Sequence, residues 1–271
     1  QLASVFEDTM QRIKQSADLK SAIDYSIHNQ QFIPESAIMS ISNVPKADKP
    51  ANIIVSRLRS FEAAAQYIGK RTAVLNFASA TNPGGGVEKG ASAQEECLCR
   101  VSTLYPCLAD QKMRASFYTP HRKNGNTLHN DDIIYTPKVL IIKDDDHNML
   151  ATPFLVDVIS CAAPNLREKS NNAYNSGDGN KVQISDNELL ALHEKRARKI
   201  FASAIANGVE VLILGAFGCG AFQNDPYIVA QAYKNVLPAF AHYFHTIEFA
   251  IYCRPADSIN YDAFKSTILN S

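Results

Sequence analysis

Apolar positions recur at helical spacing through the first thirty residues and then give way to short runs. The residues at this spacing are Leu2, Val5, Phe6, Met10, Ile13, Leu19, Ile23 and Ile27. Their period predicts one or two amphipathic helices. The following segment, residues 31–51, is polar and carries Pro34, Pro45 and Pro50, which is typical of a connection.

Strand-like and helix-like segments alternate along the rest of the chain. Strands are predicted at 53–55, 72–77, 139–142, 154–162, 210–214 and 246–253. Helices are predicted at 60–68, 95–105, 187–207, 226–241 and 257–269, with Pro106 ending the second of them. This alternation predicts an α/β fold in which helices cover a parallel or mixed sheet. Residues 1–50 are then a helical extension, and residues 51–271 form one domain.

Two further segments lack a clear period. Residues 109–130 are polar and basic, and a loop or short hairpin is expected there. Residues 169–183 are rich in Asn, Gly and Ser, which predicts an exposed loop.

Composition and charge narrow the possible partners. The chain has 271 residues, and 46% of them are apolar, which is enough for a packed core. Lys plus Arg and Asp plus Glu number 27 each, so no overall field attracts nucleic acid or an anionic membrane. We therefore expect no membrane association and no sequence-specific binding to nucleic acid.

The cysteines and acidic clusters point to neither disulfides nor a metal. Six cysteines are too few for a disulfide framework, so reduced and mostly buried thiols of a cytoplasmic protein are expected. Cys97 and Cys99 have no second cysteine pair to complete a zinc site. Consecutive acids at Asp144–Asp146 are typical of a solvated turn. No metal and no cofactor are expected.

One glycine-rich segment combines a bare backbone with carboxylates. Gly84–Gly86 follow the predicted strand at 72–77, and Gln94, Glu95 and Glu96 come after seven intervening residues at the expected start of a helix. Without a Cβ atom, glycine lets the main chain approach a ligand closely. Since few structural needs demand both features together, the segment predicts a functional site.

A second glycine-rich segment follows another predicted strand. The turn at 215–220 leads to Asn224 or Asp225, either of which can cap a helix whose first residue is Pro226. Free backbone amides beside a helix N-terminus favour phosphate, although a simple tight turn is the alternative. Because both glycine turns follow strands, they are expected at the same sheet edge, where ligands collect in α/β folds.

A purely structural role would explain one of the two adjacent acids but not the other. Ser92 and Glu95 fit a capping box, whereas Glu96 is not needed for it. Neighbouring residues on a helix point about 100° apart, so the pair cannot flank a glycosidic bond from opposite faces, as two-carboxylate glycosidases do. If a glycosidic bond is cleaved here, one acid must carry the proton chemistry and the other can hold a sugar hydroxyl.

Together these segments resemble the poly(ADP-ribose) glycohydrolases of the microbial branch. The resemblance rests on Gly84–Gly86 with Gln94, Glu95 and Glu96, and it covers about residues 40–255. The flanking segments that share it are 76–83, 158–165 and 215–220. It implies a macrodomain, which is a three-layer α/β/α sandwich with a mixed central sheet, and makes the N-terminal helices an accessory element.

The resemblance also implies roles for single residues. Glu96 is the implied catalytic acid and base, Glu95 the contact to the ribose at the scissile bond, and Gln94 a support for the loop. The implied contacts to the distal ribose are Asn82, Gly84, Gly85, Gly86 and Val87. The implied contacts to the diphosphate are Gly218, Cys219, Gly220, Ala221 and Phe222, with Phe222 packing against a ribose.

The implied activity is hydrolysis of the ribose–ribose O-glycosidic bonds of ADP-ribose polymer, with release of ADP-ribose. The implied partner is poly(ADP-ribose) on modified proteins. Two alternatives use the same pocket: a non-catalytic ADP-ribose-binding macrodomain and a mono-ADP-ribosyl hydrolase.

Overall fold

A computed structural model describes residues 1–168 and 181–270, so most of the loop predicted at 169–183 lies outside the described residues. The strands are β1 (Gln31–Ile33), β2 (Asn52–Ser56), β3 (Thr72–Phe77), β4 (Ile133–Lys143), β5 (Met149–Cys161), β6 (Val211–Leu214) and β7 (Thr246–Ala250). The α-helices are α1 (Leu2–Gln15), α2 (Ala17–Asn29), α3 (Ser60–Ala64), α4 (Gln94–Arg100), α5 (Leu104–Leu108), α6 (Gln111–Met113), α7 (Thr119–Asn124), α8 (Asp186–Ala206), α9 (Pro226–Phe240) and α10 (Ile259–Leu269).

The strands form one mixed seven-stranded sheet in the order β1-β4-β5-β3-β6-β7-β2. The neighbours from β5 to β2 are parallel, whereas β4 runs antiparallel to both β5 and β1. This arrangement confirms the predicted α/β fold with a mixed sheet.

Apolar side chains fill both faces of the sheet. Successive strand residues point to opposite faces, so Leu212 and Leu214 of β6 belong to one core while Val211 and Ile213 belong to the other. The first core is covered by α8, α9 and α10, and the second by α1, α3, α4 and α5. The result is three layers, helix over sheet over helix.

The N-terminal segment forms the two amphipathic helices expected from its period. Phe6, Thr9 and Ile13 are buried on one face of α1, and the Ser16 side chain caps α2 by accepting from Leu19 N over 3.2 Å. The chain then adds β1 to the sheet, pairing with β4. The domain division at residue 50 stays a prediction.

The predicted helix over 95–105 is wrong at its C-terminal end. Helix α4 stops at Arg100, and the chain turns to pair Thr103 N with Leu140 O over 3.0 Å before α5 begins. Pro106 lies inside the first turn of α5 rather than beyond a helix. Proline is tolerated there because the first backbone amides of a helix have no partner within the helix.

The loop or hairpin expected at 109–130 is also wrong. The chain forms α6, a π-helical turn at Arg114–Tyr118, and α7. Met113, Phe117 and Tyr118 are almost fully buried in this segment. Basic residues on its outer face obscure the apolar period that packs it onto the core.

Two expectations about single elements are confirmed. Helix α8 ends just before Gly208, and β3 has the predicted bounds. All six cysteines are free, with Cys99, Cys107 and Cys161 buried. Within residues 1–168 and 181–270, no helix has the length and apolar character needed to cross a membrane.

Candidate active site

A cleft of about 700 Å³ lies at the edge of the sheet where β3, β5, β6 and β7 end. Both glycine turns meet in it, as expected for segments that follow parallel strands. The predicted site residues that line it are Asn82, Gly85, Gly86, Gln94, Glu95, Glu96, Gly218, Gly220, Ala221 and Phe222.

Three predicted residues lie behind the cleft wall. Gly84 packs against the Tyr105 ring, and the Val87 side chain is fully buried in the core. The Cys219 thiol is half-buried, points toward the Phe217 carbonyl oxygen over 3.7 Å, and has its pKa raised by burial. A protonated thiol in this place is not a nucleophile.

The Glu96 carboxylate is anchored at one oxygen. Gly86 N donates to Oε1 over 2.9 Å, whereas Oε2 is buried and has no hydrogen-bond partner among the described residues. A Cβ atom at Gly85 would lie only 2.3 Å from Glu96 Oε1, and the φ of Gly85 is +59°. Only glycine therefore allows the backbone to pass this close to the acid.

Glu95 does not form the capping box expected from the sequence, and that prediction is wrong. The residue before α4 is Ala93, which has no side-chain cap. Glu95 Oε2 instead accepts from Ser79 N over 2.7 Å, and Oε1 accepts from Asn76 Nδ2 over 3.3 Å. Buried donors at the end of β3 are better partners than solvent-exposed Ser92, because an unpaired buried donor costs free energy.

Burial gives Glu95 an altered acidity. The pKa of Glu95 is raised to about 8, mainly by burial and to a smaller extent by the neighbouring Glu96 carboxylate. The hydrogen bonds from Ser79 N and Asn76 act in the opposite direction. At neutral pH Glu95 is therefore mostly protonated beside Glu96.

Gln94 closes the end of β3. Its Oε1 accepts from Phe77 N over 2.8 Å, and its Nε2 donates to Leu75 O over 2.8 Å and to Ser60 Oγ over 3.1 Å. The pairing of β3 with β6 ends at Val74, so the Gln94 amide takes over the next backbone groups of the strand. It therefore fixes the start of α4 against the sheet.

The second glycine turn, residues 215–222, contributes backbone to the cleft wall. Within the described part of the chain, no hydrogen bond is donated by the amides of Gly218, Gly220, Ala221 and Phe222. Such a group of amides is suited to an anion.

Asn224 fixes the shape of this turn. Its Nδ2 donates to Pro164 O over 2.7 Å and to Gly218 O over 2.9 Å, and its Oδ1 accepts from His193 Nε2 over 2.8 Å. Burial lowers the pKa of His193 to about 4, which keeps the ring neutral. The sequence indicated Asn224 only as a possible helix cap, but Asp225 caps α9 by accepting from Tyr227 N over 2.8 Å.

Sequence reasoning missed three charged residues that line the cleft. Arg59 lies with its guanidinium carbon 3.9 Å from the centroid of the Tyr252 ring, and Arg167 and Asp145 lie elsewhere on the wall. Burial raises the pKa of Asp145 to about 6, although the charge of Arg59 opposes this. No spacing links these residues, since they come from separate loops.

Residues 144–146 form a turn, as expected, but Asp145 lies half-buried in the cleft wall and is not fully solvated. Asp144 Oδ1 accepts from Asp146 N over 3.0 Å and from Asn148 N over 2.8 Å. These bonds complete the hairpin between β4 and β5.

Solved structures of two bacterial proteins are similar to this chain over nearly its whole length. The poly(ADP-ribose) glycohydrolase of Thermomonospora curvata bound to the inhibitor ADP-HPD is 28% identical, with 97% of each chain covered and a TM-score of 0.82. The poly(ADP-ribose) glycohydrolase of Deinococcus radiodurans in complex with ADP-ribose is 28% identical, with 91% of this chain and 96% of that chain covered and a TM-score of 0.77.

Sequence comparison points to the same group. No curated protein sequence matches the chain significantly. The family described as microbial-type PARG, catalytic domain, matches residues 6–144, which include the first glycine turn and the acids of α4. The chain belongs to the family of microbial-type poly(ADP-ribose) glycohydrolases.

Proposed function

We propose that this protein hydrolyses the ribose–ribose O-glycosidic bonds of poly(ADP-ribose) and releases ADP-ribose, with Glu96 as acid and base. One observation carries the proposal: Gly86 N fixes Glu96 Oε1, while Oε2 has no partner among the described residues, in a cleft shared by both glycine turns. An acid with one anchored oxygen and one unpaired oxygen is suited to transferring a proton to a bound substrate.

The cleft suits ADP-ribose in size and polarity. Its volume of about 700 Å³ is within the range of ligand pockets. The amides of the Gly218–Phe222 turn would bind the diphosphate, and the backbone at Gly85 and Gly86 would contact the distal ribose. Phe222, whose ring centroid lies 6.0 Å from that of His129, would pack against a ribose.

The proposed reaction has two proton transfers through one residue. Glu96 gives its proton to the oxygen that links two ADP-ribose units, and the bond from that oxygen to the anomeric carbon breaks. The resulting carboxylate then takes a proton from water as the water oxygen attacks the oxocarbenium ion. The products are ADP-ribose and a shortened polymer, and Glu96 is again protonated.

Glu95 has a supporting part in this scheme. It lines the cleft beside Glu96 and is mostly neutral near pH 7 because burial raises its pKa to about 8. A neutral carboxyl group can contact a ribose hydroxyl without placing a negative charge next to the acid. This also reduces repulsion of the substrate's phosphates.

The test is Glu96→Gln, which keeps the shape of the side chain and removes its acid. Activity on polymer should fall by orders of magnitude, which is at least the usual contribution of general acid–base catalysis. The affinity for ADP-ribose should stay near that of the unmodified protein. Glu7→Gln on the exposed face of α1 is the matched control and should have no effect. An active Glu96→Gln variant would rule the mechanism out.

A second experiment separates the alternatives. The protein is incubated with ADP-ribose polymer and, separately, with a protein that carries single ADP-ribose units. Release from polymer supports the proposal, whereas release only from the mono-modified protein assigns a mono-ADP-ribosyl hydrolase. Binding without release from either substrate assigns a reader.

The proposal extends to the setting of the reaction. The substrate would be poly(ADP-ribose) attached to modified proteins in the cytoplasm. Six free cysteines support a reducing compartment.

A further inference from the structure

The first turn of helix α1 contacts the C-terminal end of the glycine loop, residues 82–90. Gly90 has a φ of +78°, and a Cβ atom there would lie 3.2 Å from Ala3 N. The first turn of α1 therefore lies directly against the point where the loop leaves the site.

The same helix reaches the start of the loop through Tyr105. The rings of Phe6 and Tyr105 meet edge to face, with centroids 4.9 Å apart and an interplanar angle of 81°. Tyr105 then packs on Gly84, where an added Cβ would lie 2.7 Å from Cδ2, and its hydroxyl donates to Glu88 Oε1 over 2.6 Å. One aromatic side chain thus links α1 to two points of the loop.

A third contact joins α1 to α4, the helix that carries Glu96. The Thr9 hydroxyl donates to Arg100 O, the last residue of α4, over 2.7 Å, and it accepts from Lys143 Nζ over 2.8 Å. Thr9 is fully buried, so water does not compete for these bonds.

We infer that α1 is a positioning element of the active site. Together with Tyr105 of α5, its residues Phe6 and Thr9 hold the glycine loop and α4 at the separation that the hydrogen bond from Gly86 N to Glu96 Oε1 requires. The two elements that form this 2.9 Å bond are each attached to α1. The inference rests on the proposed function, because it takes Glu96 as the acid. It makes the N-terminal helix part of the catalytic geometry rather than a cover for apolar surface.

The test compares two classes of substitution in α1. Thr9→Val removes the hydroxyl and keeps the shape, and Phe6→Leu removes the edge-to-face contact. Ile13→Val and Ile13→Ala are the controls, because Ile13 is buried in the same helix but packs with Ile23 and Cys107, away from the loop. For each variant, kcat and KM on polymer are measured at a temperature where the protein is folded. The thermal unfolding midpoint of each variant is measured separately.

A positioning role predicts a loss of kcat that stability does not explain. Thr9→Val and Phe6→Leu should lower kcat about tenfold, since small displacements of reacting groups reduce rates strongly. Ile13 variants with equal or lower unfolding midpoints should keep the kcat of the unmodified protein. Thr9→Ser, which restores the hydroxyl, should recover most of the loss.

The outcomes separate this inference from the proposed function. If Thr9→Val and Phe6→Leu keep full kcat, or if kcat follows the unfolding midpoint equally in the Ile13 series, α1 does not position the site. If Phe6→Leu fails to fold, the comparison of Thr9→Val with Thr9→Ser still tests the inference. Glu96→Gln is measured in parallel: an inactive Glu96→Gln with unaffected α1 variants overturns only the present inference, whereas an active Glu96→Gln overturns the proposed function itself.

Discussion

The backbone amide of Gly86 and the side chain of Glu96 are joined by a hydrogen bond of 2.9 Å. This bond makes the glycine loop and the acid one unit, because any movement of the loop also reorients the carboxylate. It occupies Oε1 and leaves Oε2 as the oxygen without a partner in the described structure. The predictions below test this unit and the groups that support it.

Replacing Gly85 by alanine should inactivate the enzyme without unfolding it. The new Cβ would lie 2.3 Å from Glu96 Oε1, so the carboxylate must turn away. We expect a loss of about 10²-fold or more in kcat on polymer, which is the scale expected when a reacting group is misplaced.

Gly69→Ala is the matched control for Gly85→Ala. Gly69 also has a positive φ, +98°, but no atom lies within 4 Å of its added Cβ. It therefore shares the backbone strain of Gly85→Ala and lacks the collision. Equal activity losses in the two variants would show that strain, and not the contact with Glu96, is responsible.

Gln94→Met should destabilise the protein. Methionine has a similar shape but leaves Leu75 O and Phe77 N without the partners that Gln94 provides. We expect the free energy of unfolding to decrease by about 2–4 kcal/mol, as for two unpaired backbone groups, measured by urea denaturation. Gln66→Met, at an exposed position, is the control and should change it little. Equal stability of the two variants would contradict the proposed support of β3.

Stability should depend on pH through Glu95. Its pKa is about 8 in the folded protein, against an ordinary value of 4.5, so the folded state binds the proton more tightly than the unfolded state. This contribution to stability is complete below about pH 4.5 and decreases as the pH rises toward 8.

Glu95→Gln removes the titrating group and so tests this dependence. Glutamine stays neutral at every pH. The unfolding free energy of the variant, relative to that of the unmodified protein, should therefore increase as the pH rises from 5 to about 8. Urea denaturation at both ends of this range measures the difference. A constant difference across the range would mean that Glu95 is already ionised in the folded protein.

Asn224→Ala should weaken binding of ADP-ribose as well as stability. The substitution leaves Pro164 O and His193 Nε2 without these partners, and Gly218 O keeps only its bond from the backbone amide of residue 224. The turn that carries the proposed diphosphate site thereby loses its side-chain support. We expect a decrease of about 2–3 kcal/mol in unfolding free energy and a larger Kd for ADP-ribose by calorimetry. Asn235→Ala, at an exposed position of α9, is the control and should affect neither quantity. Unchanged affinity in Asn224→Ala would separate this turn from the ligand.

Local patterns predicted the elements that frame the site. The apolar run at 72–77 gives the observed bounds of β3, and Pro226 after Asp225 marks the start of α9. Apolar period, proline and capping residues act over a few neighbours, so a sequence read in short windows contains their effect. The convergence of the two glycine turns also followed, since parallel strands bring their carboxyl ends to one edge.

Expectations were wrong where distant groups competed with local ones. Ser92 and Glu95 have the spacing of a capping box, but the Glu95 carboxylate accepts hydrogen bonds from Ser79 N and Asn76 Nδ2 instead. Pro106 follows a helical stretch, but the contact of Thr103 with β4 divides that stretch first. In each case the competing partner lies far away in the chain, and no local spacing reveals it.

The sequence alone therefore determined most of the helices and strands, the α/β class and the two glycine turns with the acids beside them, because backbone propensity and side-chain chemistry are local properties. Only the tertiary structure decided which oxygen of Glu96 is anchored, that burial raises the pKa of Glu95, and that α1 joins the glycine loop to α4. These facts depend on distances between segments and on the exclusion of water, and both arise only when the layers pack together.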